Sequence, residues 1–180
     1  TYFQRRTTNL IDFVTPNCLP TPPATPPAIC ATRPFGFYDN VGRARVHGFE
    51  VELAGKITDT LSLAANYTEL DSKNPDTGLR LNRRPRNDAS ATLTWAPSNW
   101  SVGGSIDYVG KQIDQYDTST VPVTAFTNGS HTLVNLFGQY GFGQWSLYAR
   151  VGNLFAAHYE PLIGYGAPGR TVFAGVRVTQ

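Results

Sequence analysis

One hundred and eighty residues with 15 Lys and Arg against 13 Asp and Glu carry a formal net charge of +2, too weak a basic field to single out nucleic acid as a partner. The chain is 41% hydrophobic and 12% aromatic, ample for the core of one domain. No run approaches the roughly 20 apolar residues of a membrane helix, which excludes a helical membrane protein but leaves a β-barrel open, because a barrel's lipid face uses only alternate residues.

The chain opens Thr1-Tyr2-Phe3-Gln4-Arg5, without Met and in what reads as mid-strand, so a cut or processed amino end is expected and there is no signal peptide to read. Residues 1–14 form the first expected strand, most apolar over 10–14. Seven prolines then crowd residues 15–34, between and around Cys18 and Cys30. Proline offers no amide to a ladder, so this stretch is expected to be a long exposed loop. Over residues 40–57, His47, Phe49, Val51 and Leu53 alternate with Gly48, Glu50, Glu52 and Ala54, and residues 56–60 are short enough for a tight turn. Over 61–71, Leu61, Leu63, Ala65 and Tyr67 alternate with Ser62, Ala64, Asn66 and Thr68, before a polar loop marked by Asn74-Pro75 and Thr77-Gly78.

Beyond Pro85 the pattern resumes. Ala89, Ala91, Leu93 and Trp95 face away from Asp88, Ser90, Thr92 and Thr94, and Pro97-Ser98-Asn99 makes a short turn. Over 100–111, Trp100, Val102, Gly104, Ile106 and Tyr108 alternate with Ser101, Gly103, Ser105 and Asp107; residues 112–130 then read as a polar loop. Residues 132–140 are the next strand, turned by Gly141-Phe142-Gly143 into one starting at Gln144, where Trp145, Leu147, Ala149 and Val151 alternate with Ser146, Tyr148 and Arg150. After a loop rich in Gly and Pro, Val172, Ala174, Val176 and Val178 alternate with Phe173, Gly175, Arg177 and Thr179.

This gives eight strands of period two. Their connections alternate long and short, and Tyr67, Trp95, Trp100, Tyr140 and Trp145 fall near strand ends. Short turns on one side, long loops on the other and aromatic girdles at both interfaces describe an outer-membrane barrel, and strands of roughly 9 to 11 residues suffice to cross. A soluble β-sandwich alternates in the same way, and periodicity by itself does not separate the two.

Motifs for other chemistry read better as structure. Gly164-Tyr165-Gly166-Ala167-Pro168-Gly169 matches G-x-G-x-x-G in letters, but a dinucleotide site needs a helix after it, and here Pro168 sits inside the motif and a strand follows. His47, His131 and His158 lack metal-ligand spacing. No nucleophile elbow or phosphate loop occurs, so an enzyme is not expected. Glu50 and Glu52 are paired carboxylates and Arg150 a cation on polar strand faces; catalytic use is conceivable chemistry, but in a barrel such residues line a hydrated lumen. Asn66-Tyr67-Thr68, Asn99-Trp100-Ser101 and Asn128-Gly129-Ser130 are formal glycosylation acceptors and read as chance matches.

Asn153-Leu154-Phe155, then Tyr159, a Gly-rich loop, Gly169-Arg170 and a closing alternating strand resemble the carboxyl end of TonB-dependent outer-membrane receptors. Residues 40–52, with Gly48-Phe49-Glu50, are similar to the family's strand leading into Gly-hydrophobe-Glu, and Asn66-Tyr67-Thr68 with Arg83-Arg84-Pro85-Arg86 fits the next hairpin. Tyr165-Gly166 and Gly169-Arg170 look most like the vitamin B12 (cobalamin) transporter group. The family usually has Asp where this chain has Ala156, and an aromatic end where this chain has Gln180.

The resemblance implies an all-β fold, an antiparallel transmembrane β-barrel portion whose eight strands are the last of a larger barrel. Residues 1–180 would be a partial barrel domain without the plug, in contact with outer-membrane lipid of a bacterial cell. It further implies a transport receptor needing no cofactor, driven by the TonB energy-coupling protein through the missing amino-terminal part. The implied ligand is cobalamin, with a ferric chelate (siderophore iron) as the alternative. A stand-alone eight-stranded barrel with a binding or adhesive role is the reading from another class. On the receptor reading the ligand meets the loops at residues 15–37, 72–83, 112–130 and 156–168, with Tyr116, Phe126, Tyr159 and Tyr165 as candidate contacts, because stacking faces and polar groups are interleaved there. Cys18 and Cys30, in one exterior loop facing an oxidising compartment, are expected to form a disulfide.

Overall fold

The fold is that of a computed structural model, which describes residues 1–14, 28–33, 35, 37–117 and 120–179. The described residues form ten strands: β1 (Tyr2–Val14), β2 (Phe37–Lys56), β3 (Leu61–Lys73), β4 (Asn87–Trp95), β5 (Trp100–Val109), β6 (Gln112–Asp117), β7 (Thr124–Asn128), β8 (His131–Phe142), β9 (Trp145–Gly152) and β10 (Thr171–Val178). Eight of them form one sheet in the order β1-β2-β3-β4-β5-β8-β9-β10, every pair antiparallel. The sheet is an open meander, with β1 and β10 at its two edges.

Two expectations are corrected. Residues 112–130 are not a plain loop: β6 and β7 pair there as a separate two-stranded hairpin. Phe142 is not part of the turn but stays in the ladder opposite Trp145, and the chain reverses at Gly143, whose φ of 59° suits a residue without Cβ.

Directly paired residues share a face, so the register sorts the whole sheet. Val51, Tyr67, Ala89 and Tyr108 form one cross-strand row, and Leu53, Ala65, Ala91, Ile106 and Val134 form the next. Leu63 and Leu93, then Leu61, Trp95 and Val102, continue the same face, which ends at Leu147 with Val176 and Val151 with Val172. The opposite face carries Glu52, Asn66, Ser90 and Asp107 in one row and Thr92, Ser105 and Asn135 in another, with Glu50 and Arg150 also on it. Asn66 donates to Ser90 Oγ at 2.8 Å, and Asn135 donates to both Ser105 Oγ (3.0 Å) and Asp107 Oδ2 (2.9 Å), so the polar face satisfies itself across the strands.

The apolar face has nothing packed on it. Among the described residues Ala44 is the only buried hydrophobic, while Leu53 is 59% exposed, Val176 56% and Val172 69%. A soluble sandwich would bury this face against a second sheet, and large uncovered apolar area marks an interaction surface. Aromatic rings frame it. Near the short turns at 96–99 and 143–144 stand Trp95, Trp100, Tyr140, Phe142 and Trp145, with Trp100 against Tyr140 at 4.5 Å between ring centroids. Toward the other end Tyr67 lies beside Phe49 at 5.7 Å, in the row of Tyr108.

Candidate ligand site at the loop end

In a meander the connections alternate between two ends, so the three short turns (57–60, 96–99, 143–144) share one end of the sheet and all four long connections share the other. The loop after β3 is held by its own backbone: Asn74 and Leu79 close it (2.8 Å), and Leu81 donates to the Ser72 carbonyl (3.1 Å). Arg43 on β2 pairs with Asp76 at its tip.

Three of the four connections meet at one carboxylate. Asp114, on β6, is 5% exposed. Its Oδ1 accepts from Arg83 Nε of the β3–β4 loop at 2.9 Å, and its Oδ2 accepts from the Ile163 amide of the β9–β10 loop at 3.2 Å. The Arg83 amide adds a bond to the Ile113 carbonyl at 2.7 Å. Gln112 and the buried Asn128, at the base of the same hairpin, both donate to the Pro161 carbonyl at 3.3 Å. Tyr116 Oη accepts from the Arg80 amide at 3.1 Å. The hairpin is therefore a clasp between its two neighbouring loops.

The start of the β9–β10 loop is fixed by Asn153, whose φ of 50° lies in the left-handed region that Asn tolerates. Its side chain exchanges bonds with the backbone of Ala157 (2.8 and 2.9 Å), and its own amide donates to Asn135 Oδ1 at 2.9 Å. Arg170, at the far end of the loop, donates from Nε to the Leu154 carbonyl at 2.7 Å. Leu162 and Tyr165 bridge across Gly164, at a φ of 85°. Asn153-Leu154-Phe155, Tyr165-Gly166 and Gly169-Arg170 thus have local structural work, and the strand β10 follows the glycine loop where a dinucleotide site would need a helix.

The proposed contact residues all lie at this end but in different states. Tyr116 is half-buried with its hydroxyl in use, and Tyr159 is stacked on His131 at 4.1 Å. Phe126 and Tyr165 are exposed. Glu50, Glu52 and Arg150 share the polar face rather than the loops, but Arg150 on β9 stands five strands from the two carboxylates on β2. Cys30, within a 3-10 turn (Ala28–Ala31), is disulfide-bonded; Cys18 and most of the loop at 15–37 lie outside the described residues. Sequence reasoning passed over Asp114 and used Arg83 only within a family motif, because their pairing spans 31 positions and leaves no local trace. It also passed over a cavity of about 530 Å³ on the polar face, lined by Phe3, Arg5, Val46, Leu70, Leu81 and Arg84.

The model of the family described as TonB dependent receptor-like, beta-barrel, matches residues 1–154. The chain belongs to this family. It is accordingly β-barrel sequence of an outer-membrane protein. The fold is similar to the ferripyoverdine receptor of the outer membrane of Pseudomonas aeruginosa, with a TM-score of 0.73 and 21% identity over 98% of this chain and 24% of that one. It is also similar to the ferric-catecholate import receptor Fiu of E. coli (TM-score 0.70, 19% identity, 98% and 24% covered). A third likeness is to the copper transporter OprC (TM-score 0.72, 20% identity, 97% and 27% covered). The chain spans about a quarter of the length of these receptors.

Proposed function

We propose that this chain forms the barrel wall and part of the outer vestibule of a TonB-dependent receptor that takes up a metal chelate, a ferric siderophore before cobalamin. The observation that carries the reading is the loop end, where a hairpin, two loops and Asp114 hold a rim above a polar barrel face in a chain of this family. The apolar face is turned to outer-membrane lipid and the face with Glu50, Glu52 and Arg150 to a hydrated lumen, because lipid is the neighbour that suits so much uncovered apolar surface over paired backbone ladders. TonB would engage the complete receptor through segments outside this chain.

The ligand choice rests on chemistry. The polar-face cavity sets Arg5 and Arg84 beside Phe3, Leu70 and Leu81, which suits an anionic chelate with apolar parts. The residues behind the cobalamin expectation, Tyr165-Gly166 and Gly169-Arg170, close their own loop, so they favour no particular ligand. The solved receptors of similar fold include two whose ligands are ferric chelates. The test is uptake by a receptor-deletion strain expressing the complete receptor, offered radiolabelled ferric chelates or cobalamin. TonB-dependent iron accumulation is expected, and saturable cobalamin uptake without iron uptake would reverse the assignment.

A further inference from the structure

Two further cavities lie on the polar face, along the last three strands of the sheet. One, of about 360 Å³, is lined by Asn135, Phe137, Arg150 and Phe173; the other, of about 440 Å³, by Phe137, Gln139, Tyr148, Arg150 and Arg177. They share Phe137 and Arg150 and so form one groove. Register orders it from the loop end downward: Asn135 beside Ser105, then Phe137, Arg150 and Phe173 in one row, then Gln139 beside Tyr148, then Arg177. Three steps of two residues each give the groove a length of about 20 Å, from below the loops toward the short turns.

The rings in this groove present their faces. Gly103 is the direct partner of Phe137, and Gly175 of Tyr148. A Cβ at Gly103 would fall 2.6 Å from Phe137 Cζ, and one at Gly175 would fall 2.5 Å from Tyr148 Cζ. Each ring therefore lies down across its glycine instead of standing off the sheet, with one side on backbone and the other toward the groove. Arg177 holds its guanidinium carbon 6.0 Å from the centre of the Tyr148 ring, and Phe173 is exposed in the row between.

The charge along the groove has one sign. β8, β9 and β10 contain no Asp or Glu, and the one carboxylate on β5, Asp107, is engaged by Ser105 and Asn135. Arg150 and Arg177 are exposed and have no hydrogen bond or ion pair among the described residues. A small inorganic anion would use the cations alone, and an apolar molecule the rings alone. Ring faces set beside unpaired guanidinium groups suit an anion that itself carries an aromatic ring.

We propose that this groove is a binding station for anionic aromatic groups on the lumen wall, below the loop rim. The ligand's ring stacks on Phe137 or Tyr148, and its charge meets Arg150 at the upper row and Arg177 at the lower. The inference deepens the uptake reading and rests on its assignment of the polar face to the lumen.

The test titrates the complete receptor in nanodiscs with salicylate, with cyclohexanecarboxylate, which has the charge without the ring face, and with phenol, which has the ring without the charge. Saturation-transfer NMR reads binding, with empty nanodiscs as the blank. Salicylate should bind in preference to both. Its affinity should fall about tenfold in R150Q/R177Q, as expected for charge-assisted bonds at exposed side chains, and should survive in R150K/R177K. Both arginines are exposed and bonded to nothing, so these replacements leave the strand ladders intact. No salicylate binding, undiminished binding in R150Q/R177Q, or equal binding of cyclohexanecarboxylate would each overturn the proposal. A nitroxide on Gln139→Cys separates the levels of argument. Its relaxation by a water-soluble agent upholds the lumen assignment whatever salicylate does, whereas shielding from that agent sinks both. Salicylate binding of the expected pattern in a receptor that takes up no iron chelate would keep the station and remove the uptake reading.

Discussion

Replacing Asp114 by Ala should release the clasp while leaving the sheet intact. The carboxylate is buried and accepts two bonds, from Arg83 Nε at 2.9 Å and from the Ile163 amide at 3.2 Å. A hydrogen bond to a charged group contributes about 1.5 to 3 kcal/mol, but the Arg83 side chain is 57% exposed, so water replaces much of its share. About 1 kcal/mol for each bond, near 2 kcal/mol in all, is the fitting magnitude. None of it belongs to the strand ladders, so the loss should appear as local opening. Hydrogen exchange on the complete receptor in detergent reads it. The amides of Ile163 and of Arg83, which is bonded to the Ile113 carbonyl, should exchange about thirty-fold faster in D114A, while those of Leu63 and Leu93 stay unchanged. Unchanged exchange at Ile163 would refute the clasp, and acceleration spread through β3 and β4 would show that Asp114 supports the sheet rather than the loops.

Three further outcomes follow from the same geometry. Asn153→Ala removes a residue suited to its left-handed backbone together with two side-chain bonds to Ala157, and should cost about 2 to 3 kcal/mol in reversible urea unfolding of the folded receptor in lipid. Leu93→Arg and Thr92→Arg place the same charge at adjacent positions on opposite faces; near the bilayer midplane the first should cost about 2 to 4 kcal/mol and the second far less, and equal costs would mean that the faces are misassigned. Pairing of Cys30 with Cys18 should leave no reactive thiol in unfolded, unreduced protein, and reduction should destabilise the loop by about 2 to 4 kcal/mol; two titratable thiols would exclude the bond.

The strands were legible because a lipid-facing sheet imposes one rule on every residue: Leu61, Leu63, Leu93 and Ile106 must alternate with polar neighbours or the face fails. The same rule sorted the residues by sheet face, with Glu50, Glu52 and Arg150 on one side. It fell silent at the hairpin. Gln112–Asp117 and Thr124–Asn128 are short and mostly polar, without a sustained apolar side, and Pro122 stands between them. Those strands are held by pairing with each other and by the neighbouring loops, which no local pattern records. Phe142 was hidden for a related reason, since two flanking glycines read as a turn although the ring keeps its place beside Tyr140.

With Ala44 as the only buried hydrophobic among its described residues, the chain carries little of its stabilising apolar burial within itself. That burial is a transfer into acyl chains, and its extent is set by the distance between the ring of Trp95, Trp100 and Trp145 and the level of Tyr67 and Tyr108. Bilayer thickness then acts on this protein as a substitution would. Each ångström of mismatch between that span and the hydrocarbon costs a fraction of a kcal/mol, so a membrane of altered acyl length shifts the stability of every strand at once without changing a residue.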